Sequence, residues 1–411
     1  MPERIIFHID VNSAFLSWTA CDLLLNKKLD YDLRDVPSII GGNQETRHGI
    51  VLAKSGPAKR YGISTGEPVV DAKKKCPELV IYPPDYDLYV RRSRDLMELL
   101  KSLTPDVDQY SIDEAFCDFT GFELLYGKPV VFAEQLREKI KNELGFTVNI
   151  GASDNKLLAK MASDFKKPDR VHTLFPWEIK EKMWPLPVGD LFFVGSSSKR
   201  KLKELGIKTI GDLACTDPDV LTTHFKSHGL TLWRYANGYD LELPTEDQIQ
   251  NKGYGNSMTI RFDVTDSETA KHYLLSLTET VASRIRADKA MISVVAVSIT
   301  DNDFRRYSHQ MTLPAPTDIT DKIYKAACRL FDEMWDEIPI RQLGVHTSRA
   351  TNEGYYQYDL FDGDRIDKLR AVDSAVDEIR SRYGFEYIKR ASFIDDDKRA
   401  GFSNFIKNVD K

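Results

Sequence analysis

Residues 4–11, Arg-Ile-Ile-Phe-His-Ile-Asp-Val, form a nearly continuous apolar run, the pattern of a strand covered on both faces. The run ends in Asp10 and gives way to Asn12-Ser13-Ala14-Phe15. A second run alternates, with Val107, Tyr110 and Ile112 before the adjacent acids Asp113-Glu114 and Phe116 and Phe119 after them. That pattern predicts two short strands meeting close to the acids. Between these runs, apolar residues at helical spacing predict a helix over 87–103, ended by Pro105. Phe146 to Ile150 reads as a further strand, Gly151 as a turn, and Asn155 to Phe165 as a helix. The last buries Leu157, Leu158, Met161, Ala162 and Phe165 and is stopped by Pro168. Strands with helices on one side make an α+β core.

The remainder divides by pattern. Residues 16–80 are a small insert between the first strand and the rest of the core, with a turn-rich stretch at 61–68 and a short helix over Val69 to Lys75. From about residue 176 the elements become short and helical. Pro244 to Lys252 is polar and reads as an interdomain linker. Beyond it the order is strand (254–262), helix (268–286), strand (291–300), strand (305–313), helix (318–336), strand (340–349). This β-α-β-β-α-β order is the split βαβ arrangement, and Thr265-x-x-Glu268 is a capping-box start for its first helix. Residues 364–385 read as a charged helix, and 395–411 as loosely ordered.

Composition narrows the class. At 411 residues the chain is long enough for two to four domains, and 42% hydrophobic with 29% charged residues is a globular balance. No apolar run reaches a membrane span, and Met1-Pro2-Glu3-Arg4 lacks the layout of a signal peptide. The five cysteines, Cys21, Cys76, Cys117, Cys215 and Cys328, are scattered without a C-x-x-C pair, so neither a zinc site nor a disulfide framework is expected. A reduced cytoplasmic protein follows. Net charge is −6, a mild argument against a nucleic-acid enzyme, but binding depends on where cations lie. Lys156, Lys160, Lys166, Lys167 and Arg170 form one basic cluster, and Lys199, Arg200, Lys201 and Lys203 another. Either is read as a solvated helix face or as a phosphate-binding surface.

Candidate chemistry rests on the acids. Neighbouring carboxylates in an apolar run are costly to bury, so they are normally paired or bound to metal. Consecutive strand residues point to opposite faces, so Asp113 and Glu114 converge only at a strand end or tight turn. With Asp10 they make three carboxylates carried by central strands. Such oxygen ligands suit hard divalent ions, Mg²⁺ above all. Two ions about 3.5–4 Å apart can activate an attacking oxygen and stabilise a leaving one at phosphorus. The bland alternative is an exposed turn with two solvated acids and a capping Asp10.

Three segments then match a known pattern. His8-Ile9-Asp10-Val11-Asn12, Tyr110-Ser111-Ile112-Asp113-Glu114-Ala115-Phe116 and Ala162-Ser163-Asp164-Phe165-Lys166-Lys167-Pro168 resemble the palm motifs of Y-family translesion DNA polymerases, with the similarity running over about residues 4–350. The resemblance implies a right-hand polymerase with a ferredoxin-like palm (1–15 and 81–175), small fingers (16–80), a helical thumb (176–243), a linker (244–252), a little finger (253–351) and a tail (352–411). It implies low-fidelity, template-directed synthesis in DNA repair and damage tolerance, with deoxynucleoside triphosphates and primer–template DNA as substrates. Asp10, Asp113 and Glu114 would hold two Mg²⁺ ions, with the Val11 carbonyl touching the nucleotide-side ion. Lys167 would neutralise the triphosphate. Phe15 would select deoxy sugars by colliding with a 2′-hydroxyl, its other reading being an ordinary core side chain.

The resemblance carries further. Phe193-Val194-Gly195-Ser196, before Lys199 to Leu205, resembles a helix-hairpin-helix, which would grip a DNA phosphate through Gly195, Lys199 and Lys201. The motif usually has a second glycine where Phe193 stands, and a hairpin without DNA contact is the alternative. Gln357-x-x-Leu360-Phe361 resembles the sliding-clamp peptide of bacterial polymerases, making the replication clamp an expected partner of a monomeric, nucleoid-associated enzyme. The little finger's near-balanced charge predicts a light grip on DNA. The insert departs most: family members commonly show Ser-Tyr-Glu-Ala-Arg-Lys where this chain has Ser55-Gly56-Pro57-Ala58-Lys59-Arg60. Lys59 then stands where an Arg would meet the triphosphate and lacks its bidentate fork; Lys54 and Arg60 are candidate substitutes. Two other classes share some of these features, a palm-type nucleotide cyclase and a non-catalytic clamp-recruiting relative.

Overall fold

A computed structural model describes residues 4–42, 49–240, 251–352, 363–384 and 387–393. Most of the expected linker, the pentamer residues Gln357, Leu360 and Phe361, and the tail from 394 lie outside the described residues. The chain divides into two compact units, one running to Leu243 and the other from Pro244.

The first unit is organised by a five-stranded sheet in the order β5-β6-β1-β7-β8, with β1 at Ile6–Val11, β5 at Val107–Gln109, β6 at Glu114–Asp118, β7 at Val148–Ser153 and β8 at Val171–Thr173. The apolar N-terminal run is the central strand, paired antiparallel to both β6 and β7. Its alternate residues Phe7, Ile9 and Val11 join the main core with Leu96, Met97 and Leu100 of α4 (Tyr86–Lys101) and Phe132, Leu136 and Ile140 of α6 (Pro129–Leu144). The other alternate set, Ile6, His8 and Asp10, faces α7 (Lys156–Ser163), where Ile6 packs with Phe116 and Ala159. Helices therefore cover parts of both faces, not one as the pattern suggested. Two buried faces explain why β1 reads as continuously apolar.

Gly151 is a strand residue in β7 and not the expected turn. A Cβ there would stand 1.9 Å from the Ala159 carbonyl oxygen and 2.5 Å from the Ser163 nitrogen. The glycine is needed because α7 lies directly on the strand backbone.

The insert is a three-stranded sheet in the order β3-β2-β4, formed by Ser38–Gly41 (β2), Val51–Lys54 (β3) and Val80–Tyr82 (β4). Helix α1 (Ala14–Leu25) joins it to the core. Trp18 and Cys21 pack into the main core cluster, whereas Leu16 and Ala20 pack with Leu33, Ile40 and Ala53 of the insert. The expected boundary at residue 16 falls inside this helix because α1 is apolar on two sides and serves both cores.

After β8 the first unit continues in short helices, including α8 (Ser196–Glu204), α9 (Ile210–Cys215), α10 (Pro218–Phe225) and α11 (Ser227–Ala236). They enclose Leu202, Ile210, Leu213, Leu221 and Leu232 in a cluster shared with Leu157 and Leu158 of α7.

The second unit follows the predicted order: β9 (Gly255–Val264), α12 (Ser267–Ala287), β10 (Ile292–Asp301), β11 (Arg306–Thr317), α13 (Thr320–Met334) and β12 (Ile340–Ser348). The sheet order is β11-β10-β12-β9, all neighbours antiparallel. Strands β9 and β10 are thus parallel across β12, and β11 and β12 parallel across β10, two interleaved split βαβ units. The start of α12 is capped by Asp266, whose carboxylate accepts from the Thr269 N–H at 2.8 Å, and not by Thr265. The charged C-terminal helix, α14 (Gly363–Tyr383), is fastened within this unit by Arg286, which pairs with Asp373 and Asp377, and by Arg380, which pairs with Glu279.

Candidate active site

The ladder between β1 and β6 sets Asp10 directly opposite Glu114. Cross-strand partners have Cβ atoms about 4.5–5.5 Å apart, and like charges in such a pair repel. Asp113 precedes Glu114 in the turn over 110–113, in which the Tyr110 and Ser111 N–H groups both donate to the Glu114 carbonyl. The Val11 N–H donates to the Asp113 carbonyl at 3.0 Å, tying that turn to the end of β1. Ser111 Oγ donates to the Asp113 carboxylate at 2.7 Å. The acids thus lie at a strand end and turn, the arrangement that convergence requires.

Lysines offset the repulsion. Lys167 Nζ donates to Asp10 Oδ2 at 2.7 Å and pairs with Asp164 at 2.8 Å. Lys160 Nζ donates to Glu114 Oε2 at 2.7 Å and lies over the rings of Tyr110 and Phe192, 5.0 and 5.4 Å from their centroids. Burial raises the Asp10 carboxyl to about 6 in spite of Lys167. Burial would raise Glu114 too, but the Lys160 ammonium donating to it reverses the direction and holds its carboxyl below the ordinary value. Burial opposes the charge of Lys167 as well, yet Asp10 and Asp164 keep its ammonium above the ordinary value.

His8, two residues before Asp10 and on the same strand face, is fully buried. Ser163 Oγ donates to the Lys160 carbonyl at 2.8 Å, so it accepts from His8 Nδ1, also at 2.8 Å. Nε2 then faces Glu114 at 3.8 Å, beyond hydrogen-bonding distance. Burial pushes the imidazole below its usual value, outweighing the pull of Glu114. The one sign of His8 in the sequence is its period-two spacing from Asp10. In the sequence Lys160 is one member of a basic cluster, and its three-residue spacing from Ser163 along α7 is the signal that sets it on the same helix face.

The other expected residues are dispersed. Phe15 is half-buried and stacks on Tyr89 with centroids 4.3 Å apart and planes 5° from parallel. Lys59 is exposed on the short helix α2 (Gly56–Arg60), capped by Ser55. Lys54 is engaged by the Ile63 carbonyl at 2.7 Å, and Arg60 is exposed beside Pro37, Pro57 and Tyr61. Gly195 caps α8, Lys199 runs along Gly189, and the Lys201 ammonium donates to the His224 carbonyl over the Phe225 ring. Phe193 adopts φ +70° and packs on Phe192 and Tyr235. Left-handed backbone is what a glycine would supply at that position.

Among the described residues, no three His, Cys, Asp or Glu side chains are gathered closely enough to hold one ion. The donor chemistry nonetheless fits hard divalent cations: three carboxylates on adjoining strand ends, two of them already attracting ammonium groups.

Comparison with known proteins decides between the readings. The impB/mucB/samB family matches residues 9–164, and its C-terminal domain matches residues 251–360. The DNA polymerase IV of Clostridium acetobutylicum is 47% identical over 397 residues, covering 97% of this chain and 100% of that protein. This chain belongs to the Y-family of DNA polymerases. DNA polymerase IV 2 of Bacillus subtilis is 35% identical over 400 residues, covering 95% of each chain. A solved Y-family DNA polymerase chimera of Dbh and Dpo4 has the same fold, with a TM-score of 0.69 at 22% identity, covering 84% of this chain and 98% of that one. No helix among the described residues is long and apolar enough to cross a membrane.

Proposed function

We propose that this Y-family chain, a DNA-directed DNA polymerase, performs low-fidelity translesion synthesis by adding deoxynucleotides to a primer 3′-hydroxyl with release of pyrophosphate. The observation that carries the reading is the facing pair Asp10 and Glu114 with Asp113 in the adjoining turn. Asp10 and Asp113 would hold both of two Mg²⁺ ions, Glu114 the one at the primer hydroxyl, and the Val11 carbonyl the one at the nucleotide. When bound, such ions activate the attacking oxygen and neutralise the leaving one. The lysines must then leave the carboxylates. Lys167, more than a third exposed, is placed to turn from Asp10 to an incoming triphosphate. Phe15 contributes a ring that limits space for a 2′-hydroxyl, and Lys59 a point charge for the triphosphate.

Substrate range follows from what surrounds the site. The insert is a three-stranded sheet with helices of five and seven residues. Fidelity beyond base pairing requires a tightly closing pocket, and no long closing helix is present among the insert's described residues. Damaged template bases are therefore accepted. Gly195 and Lys199 are assigned to a template or primer phosphate; Lys201, held by His224, contributes there only by releasing it. The sliding clamp, contacted through Gln357, Leu360 and Phe361, compensates for weak DNA affinity.

The test is primer extension by Asp113→Asn with Mg²⁺ on undamaged and abasic templates. Insertion is expected to be lost while primer–template affinity is retained, because that affinity comes from phosphate contacts elsewhere. Near-normal extension would sink the assignment.

A further inference from the structure

Asn149 is the one polar side chain in the buried run Val148-Asn149-Ile150-Gly151-Ala152 of β7, and it is completely buried. It stands opposite Asp10 in the ladder. Its Nδ2 donates to the carbonyl of Ser163 and to the carbonyl of Lys166, both at 2.9 Å. These two carbonyls bracket the turn that follows α7, where helical carbonyls lose their own partners. Its Oδ1 is buried with no partner.

The second of these carbonyls matters most. The Lys166 C=O shares a planar peptide unit with the Lys167 nitrogen, so holding it fixes where the Lys167 side chain departs. His172 Nε2 touches the same oxygen at 3.2 Å. Two residues further on, Asp169 is gripped by Arg137 and Lys141 from α6. Lys167 thus projects from a segment pinned on both sides, and of these side chains only Asn149 comes from a strand paired directly with the one that carries Asp10. An apolar residue at 149 would remove the orphaned oxygen and lose both bonds. The two bonds to the Ser163 and Lys166 carbonyls are what the amide supplies at this position.

We infer that Asn149 is a positioning residue for nucleotide binding, acting by locking the Ser163–Lys167 turn so that the Lys167 ammonium meets the triphosphate. The inference rests on the proposed triphosphate role of Lys167.

Steady-state single-nucleotide insertion with Mg²⁺ and an undamaged primer–template tests it in Asn149→Ala, Lys167→Ala and the double variant. Asn149→Ala is expected to raise the nucleotide KM about 5–20-fold, with kcat altered less than about threefold and primer–template Kd unchanged. In the Lys167→Ala background the same change should add less than about twofold, because both act on one contact. Asn149→Thr, whose β-branched side chain suits a strand and offers a single donor, is expected between wild type and Ala, and it carries the test if the Ala protein does not fold. Equal KM effects in both backgrounds, or a fall in kcat with KM unchanged, overturns the positioning role. If Lys167→Ala raises KM while both Asn149 variants stay at wild type, only this inference fails. If Lys167→Ala leaves KM unaltered, the triphosphate reading of Lys167 fails and takes this role with it.

Discussion

Glu114 and Lys160 form an ion pair at 2.7 Å in which the lysine side chain is 10% exposed and the carboxylate 20% exposed. The lysine is also bounded by the Tyr110 and Phe192 rings. It reaches Glu114 from the α7 side of the sheet, the face that also carries His8 and Asp10.

Replacing Lys160 by Met keeps an apolar stem against the two rings and removes only the charge. Glu114 is then left partly buried without its strongest partner. In metal-free protein, Lys160→Met is expected to lose about 1–3 kcal/mol of unfolding free energy. Glu114→Gln in that background should cost less than Glu114→Gln alone, which a denaturant double-mutant cycle measures. An additive cycle would mean that the pair is not coupled.

Gly151→Ala is expected to cost at least about 2–3 kcal/mol, or to prevent folding, because the added Cβ meets backbone and not a yielding side chain. Thermal unfolding of the purified variant checks this. A Tm within a degree or two of wild type would mean that α7 does not lie as close to β7 as described. The test also touches function, since α7 carries Lys160 and leads into Lys167.

These positions show what the sequence disclosed and what it withheld. The strand ending at Asp10, the short strands around Asp113 and Glu114, and the order of the second unit were legible because apolar period and turn residues agree there. Gly151 is ambiguous in the sequence because a glycine signals either a turn or a close backbone approach, and only the packing of α7 distinguishes them. Helix α1 hid the palm–insert junction because a helix with two apolar sides carries no boundary signal. The carboxylates were identifiable as a set; their lysine partners were not, since a lysine run reads as a solvated face until a fold turns individual ammonium groups inward. Asn149 gave no signal beyond being polar in an apolar strand.

Phe15→Ala is expected to raise ribonucleotide incorporation relative to deoxyribonucleotide, because removing the ring opens space for a 2′-hydroxyl. The ring also stacks on Tyr89 and touches Tyr86 and Trp18, so the variant should lose about 1–3 kcal/mol of stability, less than a fully buried Phe→Ala change. The two effects separate the roles: destabilisation with unchanged sugar discrimination would make Phe15 a packing residue alone.

Replacing Leu360 and Phe361 by Ala is expected to remove clamp-stimulated synthesis and spare distributive synthesis without a clamp. The pentamer lies between β12, which ends at Ser348, and α14, which begins at Gly363. Helix α14 is tied to the second unit by Arg286 with Asp373 and Asp377, by Arg380 with Glu279, and by the Thr320 N–H with Asp373. The elements that flank the pentamer in sequence therefore both belong to that unit, while the carboxylates belong to the first. Two apolar side chains entering a pocket dominate a short-peptide interaction, because few residues carry most of the binding energy. Tethering to a loaded clamp raises local concentration without touching the reacting groups. Primer extension with and without loaded clamp measures the difference. Stimulation of the double variant to the wild-type extent would make the pentamer a chance match and move recruitment to another surface.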